Sequence, residues 1–212
     1  MQANLDIWDG SAADFPRPLR LRVAYVLYQL ALHLAFPLVL LKLWQLGRKE
    51  PLYRRNLLQR FGLGSNRTRH KSRGAIWIFA ASLGETRAAS PLVHALLKRG
   101  QDVLLTHSSA AGLQAGRDLF GDEISQGRVV QLYQPIDALI PLWLFFWRFR
   151  PRVGLVMECE LWPGLLVEAR RWGLPIIATN GSYTERAQAR DIDRFFGLRL
   201  LLWPAFSFVT TK

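Results

Sequence analysis

One turn of the sequence carries residue types suited to general acid–base chemistry. Residues 81–87 read Ala-Ser-Leu-Gly-Glu-Thr-Arg, between a short apolar run and a helical pattern. Gly84 lets the backbone turn tightly or approach a ligand closely. Glu85 falls in the first turn of the predicted helix, where the helix dipole favours an ionised carboxylate, a suitable general base for a hydroxyl group at a cleft edge. A glutamate there also commonly does no more than stabilise the helix N-terminus, and the spacing alone favours that structural role.

Two later turns add polar side chains that could bind a substrate. Glu158 and Glu160 lie two residues apart and could hold sugar hydroxyl groups, with Trp162 as an apolar wall. Acids at a helix N-terminus beside a core tryptophan are an equally good interpretation. Asn180 opens a polar turn that could bind substrate, although a helix cap is the simpler interpretation. We predict no metal site, because the single Cys159 and the four histidines show no metal-ligand spacing: His33, His70, His94 and His107.

Short apolar segments that alternate with helical patterns must position these turns. The predicted strands are residues 75–81, 102–107, 128–133, 153–158 and 175–180, with a last short strand at 206–210. The predicted helices between them are residues 85–98, 110–120, 139–149 and 161–172, with a further helix after Ser182. This alternation predicts an α/β fold, a Rossmann-like doubly wound parallel sheet. Ligands of such sheets bind beyond the carboxyl ends of the strands, where the strand order reverses.

The charge is concentrated in the first third of the chain. The 212 residues carry 28 basic and 16 acidic side chains, a net charge of +12, and 13 of the basic and 4 of the acidic residues precede residue 75. Half of the residues are hydrophobic, which excludes a disordered chain. One cysteine excludes an intramolecular disulfide framework. Nucleic acid explains the charge poorly, because the arginines adjoin an apolar segment and form no separate polar face.

That apolar segment, residues 23–41, contains 19 residues without a formal charge. Its length approaches what a membrane span needs, and the basic flanks suit an anionic lipid surface. A buried core helix of a soluble domain stays open as an alternative, whereas a cleaved signal peptide is disfavoured by the late start and the missing cleavage site. We therefore divide the chain into a basic tail (1–22), a membrane-associated helix (23–46), a basic amphipathic segment with linker (47–74) and a Rossmann-like domain (75–212).

Three runs, taken in their order and spacing, resemble the 3-deoxy-D-manno-octulosonic acid (Kdo) transferase family. They are YRRNLLQRFG at 53–62, IWIFAASLGETRAASPLVHAL at 76–96 and MECELWPGLL at 157–166. The resemblance implies an inverting glycosyltransferase of the two-domain GT-B type, which transfers Kdo from CMP-Kdo to lipid A precursor in lipopolysaccharide synthesis. It implies a location on the cytoplasmic face of the bacterial inner membrane and a nucleotide-sugar donor in place of a cofactor. The placement of the arginines beside the apolar segment independently predicts no nucleic-acid partner.

The resemblance also assigns roles by position. Glu85 matches the catalytic base, and Ser82, Gly84 and Arg87 match the acceptor-side turn of the family. Glu158 and Glu160 match its paired glutamates near the cleft, and we add Trp162 and Asn180 to the predicted acceptor-binding set. The sequence departs from the family at Phe79, Gly164 and residues 180–184.

The length implies an acceptor-binding half. The sequence stops near the point where the linker of the family to its donor domain would begin, so we expect a donor domain that is fused or separately encoded. The alternative function is a diverged, non-catalytic membrane protein that binds a lipid A-like glycolipid. A soluble nucleotide-binding domain is less favoured, because no phosphate-binding glycine loop such as Gly-x-Gly-x-x-Gly is present.

Overall fold

A computed structural model describes residues 19–64, 73–158, 162–179 and 206–209. Its centre is a six-stranded sheet in which all strand pairs are parallel. The strands are β1 (Ile76–Phe79), β2 (Val103–His107), β3 (Val129–Tyr133), β4 (Val153–Met157), β5 (Ile176–Thr179) and β6 (Phe206–Val209). Their order in the sheet, β3-β2-β1-β4-β5-β6, confirms the predicted doubly wound α/β fold.

Both faces of β1, a central strand, are buried, which is why this strand is a continuous apolar run. Because successive side chains of a strand point to opposite faces, β1 contributes to two cores. Trp77 and Phe79 pack in one cluster with Phe145, whereas Ile76 and Ile78 pack in the other. Phe79, one of the departures from the family pattern, is therefore a fully buried core residue.

Helices cover the two faces of the sheet. They are α3 (Leu83–Lys98), α4 (Ala110–Leu119), α5 (Gly121–Gln126), α6 (Leu139–Phe149) and α7 (Pro163–Arg171). The four helices predicted between the strands correspond to α3, α4, α6 and α7. The bounds of α6 are those predicted, and the bounds of the other three differ by one or two residues. The helix predicted after Ser182 falls outside the described residues.

The segment predicted as one membrane-associated helix, residues 23–46, lies within two helices in the structure. They are α1 (Leu19–Leu34) and α2 (Phe36–Lys49), with a bend of 50° between them. Pro37 lies in the first turn of α2, and its missing N–H cannot continue the hydrogen-bond ladder of α1. Neither helix alone has the length and hydropathy of a membrane span, whereas the bent pair from Val23 to Lys49 meets both requirements together.

After α2, the predicted basic amphipathic segment folds as two short 3₁₀ helices, Pro51–Tyr53 and Leu57–Phe61. Asn56, with φ of 60°, separates them and stops a continuous helix. The backbone N–H of Ile136 donates to the carbonyl of Arg60 at 2.9 Å, so the second 3₁₀ helix is fixed to the loop after β3.

Candidate functional site

The sheet reverses its strand order between β1 and β4, which are neighbours although β2 and β3 lie between them in sequence. The turn that holds Glu85 follows β1, and Glu158 follows β4. The two glutamates therefore flank the crevice where sheets of this kind bind ligands. This is the place that the alternation of strands and helices predicts for a site.

Glu85 is held tightly in the turn after β1. Its side chain is only 6% exposed, and its Oε2 accepts a hydrogen bond from the backbone N–H of Ala81 at 2.8 Å. No described residue donates a hydrogen bond to Oε1. The carboxylate is thus fixed through one oxygen at the start of α3, which leaves the other oxygen for a substrate proton. The same contact also satisfies an N–H near the helix N-terminus, as the structural interpretation predicts.

The rest of this turn forms the first turn of α3. Ser82 is the N-cap residue, and its Oγ accepts from the N–H of Glu85 at 3.3 Å. Gly84 and Arg87 are both exposed, on the part of α3 nearest the crevice. The structure thus brings Ser82, Gly84, Glu85 and Arg87 together at one helix end, and their roles toward a substrate stay predictions.

Glu158 is exposed at the end of β4 and has a φ of 55°. Non-glycine residues adopt this left-handed conformation at an energetic cost, and such residues cluster at functional sites. The N–H of Glu158 donates to the carbonyl of Thr179 at 2.8 Å, which holds the backbone in place. Trp162 is the exposed N-cap residue of α7. Glu160 and Asn180 lie outside the described residues, so the structure does not place them.

A buried histidine at the end of β2 links the turn after β1 to strand β3. His107 Nδ1 lies 2.9 Å from the carbonyl oxygen of Ala80, and its Nε2 lies 2.9 Å from Gln131 Nε2. Because an amide nitrogen can only donate, Nε2 accepts and Nδ1 carries the proton. Burial lowers the pKa of His107 to about 4, so the ring is neutral at pH 7. A neutral, buried ring with both nitrogens hydrogen-bonded supports a structural role for His107.

Sequence reasoning missed the contacts of Asp137, which lies in the loop between β3 and α6. Its carboxylate accepts hydrogen bonds from the N–H groups of Gly164 and Leu165 at 2.7 and 2.6 Å, and thereby caps α7. It also accepts from the Tyr28 hydroxyl of α1 at 2.8 Å. Burial raises the pKa of Asp137 to about 7, although the three donors oppose that shift. A carboxylate in the run Gln-Pro-Ile-Asp after a predicted strand was the available signal.

A second contact strengthens this junction between α1 and the sheet domain. The side-chain oxygen of Gln29 accepts from the N–H of Leu139 at 2.8 Å, and its amide nitrogen donates to the carbonyl of Asp137 at 3.3 Å. Gln29 is buried although it lies in the apolar segment. Gln29, a polar residue that weakens a membrane-span interpretation of the apolar segment, thus fixes α1 to the sheet domain.

Comparison with known proteins points to one family. A family model described as 3-deoxy-D-manno-octulosonic-acid transferase (kdotransferase) matches residues 55–211. The match begins before the second 3₁₀ helix and includes all six strands.

Curated relatives carry the same description. A 3-deoxy-D-manno-octulosonic acid transferase of Bordetella pertussis is 40% identical over 158 residues, which are 74% of this chain and 37% of the relative. Those of Haemophilus influenzae and Rickettsia bellii are 31% and 32% identical over 181 and 151 residues, 83% and 71% of this chain. These matches cover 40% and 34% of the two relatives, so the chain spans well under half the length of the proteins that it matches.

Proposed function

Because this chain belongs to the 3-deoxy-D-manno-octulosonic-acid transferase family, we propose that it forms the acceptor-binding half of a glycosyltransferase. The acceptor is lipid A precursor, and the donor, CMP-Kdo, is bound by a donor domain that is fused or separately encoded. The observation that carries this proposal is the position of Glu85, with one carboxylate oxygen held by Ala81 at the crevice beside β1 and β4.

In the proposed reaction Glu85 acts as the general base. Its Oε1 takes the proton of the acceptor hydroxyl while the hydroxyl oxygen forms a bond to the anomeric carbon of Kdo. The bond from that carbon to the CMP phosphate oxygen breaks, and CMP leaves with the electron pair. Attack opposite to the leaving group inverts the configuration. The hydrogen bond from Ala81 fixes the carboxylate so that little reorganisation is needed during proton transfer.

We further propose that α1 and α2 bind the cytoplasmic face of the bacterial inner membrane. A row of apolar side chains at helical spacing on these helices is exposed, and Leu34 reaches 80% exposure: Val23, Val26, Leu27, Leu30, Leu34, Leu38 and Leu41. Burying this much apolar surface in lipid is favourable at about 25 cal/mol per Å². A continuous exposed apolar surface of this kind is typical of a membrane or protein contact.

Exposed aromatic and basic residues are also present on α2, after it, and on α6. Trp44 of α2 is exposed, and the guanidinium groups of Arg48 and Arg54 lie 4.3 and 4.8 Å from its ring centroid. On α6, Trp143 and Trp147 are exposed and stacked with centroids 6.1 Å apart. Tryptophan prefers the headgroup region of a bilayer, and arginine binds anionic headgroups there. These side chains support an orientation in which the face of α6 that carries Trp143 and Trp147 also faces lipid.

One observation favours the alternative, a non-catalytic protein that binds a lipid A-like glycolipid. The contact between Glu85 and Ala81 completes the N-terminal turn of α3 without any reaction. Under this alternative the chain binds the glycolipid equally well with glutamate or glutamine at position 85, and no donor domain restores transfer.

The experiment joins this chain to the part of the Bordetella pertussis relative that lies beyond the aligned region. The fusion protein is incubated with CMP-Kdo and lipid A precursor in detergent micelles, and the product is analysed by mass spectrometry. We expect an added Kdo mass with the fusion protein and none with the donor part alone. A folded fusion protein that binds both substrates and yields no product would favour the glycolipid-binding alternative.

A further inference from the structure

A buried arginine that has no acidic partner among the described residues lies at the same edge of the sheet as Glu85. Arg60, in the 3₁₀ helix Leu57–Phe61, is only 8% exposed. Its guanidinium lies 4.0 Å from the ring centroid of Tyr133, and one terminal nitrogen donates to the carbonyl of Ser108 at 2.8 Å. Among the described residues, no carboxylate lies within 4 Å of this guanidinium, and its Nε has no hydrogen-bond partner.

A buried cation in this state is energetically unfavourable. Removal of a charge from water is costly unless a counter-ion and hydrogen bonds replace the lost hydration. The aromatic ring and one carbonyl replace only part of it, and burial lowers the pKa of the Arg60 guanidinium. The fork of N–H donors on a guanidinium fits the oxygen atoms of phosphate or carboxylate groups. An oxyanion bound to the Arg60 guanidinium would therefore serve as its counter-ion.

Hydrogen bonds through the backbone connect this arginine to the turn that holds Glu85. Ser108, which accepts from Arg60, directly follows β2, and its N–H donates to the carbonyl of Ala81 at 3.1 Å. The N–H of Ala81 in turn donates to Glu85. A chain of hydrogen bonds through two residues, Ser108 and Ala81, thus connects the guanidinium to the carboxylate at the carboxyl edge of β1 and β2. Ser108 is partly exposed, so this corner of the edge opens to solvent.

We propose that Arg60 binds an oxyanion of the substrate sugar, a phosphate or a carboxylate, in a subsite adjacent to Glu85. The identity of the sugar depends on the proposed function, whereas the anion site depends only on the geometry of Arg60, Ser108 and Tyr133. The backbone contacts that fix the 3₁₀ helix to the loop after β3 hold the guanidinium in place before the ligand arrives. Such preorganisation lowers the entropy lost on binding.

The test measures thermal stability of the full chain in sodium phosphate, sodium acetate and sodium chloride at equal ionic strength and pH 7. We expect a higher Tm in phosphate or in acetate than in chloride, and the more effective salt distinguishes a phosphate subsite from a carboxylate subsite. Arg60→Met should lose this increase. Arg99→Met, which removes an exposed charge at the end of α3, should keep it.

Three results would overturn the proposal. The Tm of the native chain could be the same in all three salts, or phosphate and acetate could raise the Tm of the native chain and of Arg60→Met equally. The third is an equal loss of this Tm increase in Arg60→Met and Arg99→Met. Should Arg60→Met fail to fold, Arg60→Lys keeps the charge without the planar fork and should show a smaller increase in Tm in phosphate or acetate than the native chain. An unchanged response in Arg60→Lys would also count against the subsite.

A second measurement separates this proposal from the proposed function. Glu85→Gln should keep the full salt response, because the anion site does not use that carboxylate. If the fusion protein transfers no Kdo while the Arg60-dependent increase in Tm persists, the transferase proposal fails and the proposed anion site stands. If transfer occurs, Arg60→Met should raise the KM for a phosphorylated acceptor by about 10-fold or more. The KM for a dephosphorylated acceptor should stay unchanged. Equal effects on the KM of both acceptors would exclude phosphate recognition.

Discussion

Replacement of Asp137 by alanine should destabilise the fold more than any exposed substitution. The variant removes the acceptor for two N–H groups of α7 and for the Tyr28 hydroxyl, at distances of 2.6 to 2.8 Å. A buried donor left without a partner costs about 1–3 kcal/mol, and loss of a helix cap costs about 1 kcal/mol. Since these effects overlap, we expect a total loss of about 3–5 kcal/mol in the free energy of unfolding.

Urea denaturation followed by tryptophan fluorescence measures this loss, and a thermal melt should show a decrease in Tm of roughly 10 °C. Asp118→Ala provides the control, because Asp118 is exposed on α4 and, within the described part of the chain, bonds only to the nearby Gln114. That control should change the free energy of unfolding by no more than about 0.5 kcal/mol. A loss below about 1 kcal/mol in Asp137→Ala would refute the capping role assigned here.

The pH dependence of this loss follows from the raised pKa of Asp137, about 7 in the folded chain against 3.8 as the ordinary value. Between these values the folded state holds a proton that the unfolded state has released, so stability falls as the pH rises through this range. The native chain should therefore exceed Asp137→Ala in stability by more at pH 4 than at pH 8. A difference that grows with pH would contradict the burial of this carboxyl.

Three further predictions concern other parts of the structure. Gly164→Ala should lower the free energy of unfolding by about 1–3 kcal/mol in urea denaturation, because a Cβ there would lie 2.4 Å from a backbone carbonyl oxygen; a neutral result would show that the loop moves freely. Ser82→Ala should cost about 1 kcal/mol in the same assay through loss of the α3 cap, and an unchanged midpoint would contradict that cap. Replacing both Trp143 and Trp147 by serine should reduce sedimentation with anionic lipid vesicles several-fold, whereas Leu119→Ser should not; equal sedimentation of the three proteins would exclude α6 from the lipid surface.

The sheet and its ligand crevice could be predicted from the sequence because their determinants are local. Each strand of the described sheet is a short apolar run, and Trp77 and Ile78 show why: both faces of β1 are buried. The turn with Ser82 and Glu85 follows the first run directly, so its place at the carboxyl edge follows from the alternation of elements.

The contacts that could not be predicted join residues far apart in the chain. Asp137 bonds to Tyr28, 109 residues away, and no periodicity connects a loop carboxylate with a tyrosine of the apolar segment. The break between α1 and α2 was also missed, because hydrophobicity continues across it although Pro37 interrupts the hydrogen bonds. Arg60 was counted among the basic residues of an amphipathic segment, whereas the structure buries it against Tyr133.

In the proposed reaction, Glu85 removes the proton from the acceptor hydroxyl. The most direct test is the single-turnover rate of Kdo transfer by the fusion protein with glutamate or glutamine at position 85. Glutamine keeps an oxygen that can accept the hydrogen bond from Ala81, so the fold is preserved while the base is removed. We predict a rate lower by about 10²- to 10⁴-fold in Glu85→Gln and an unchanged rate in the control Glu123→Gln on α5. A rate for Glu85→Gln within a few-fold of the native rate would contradict the claim.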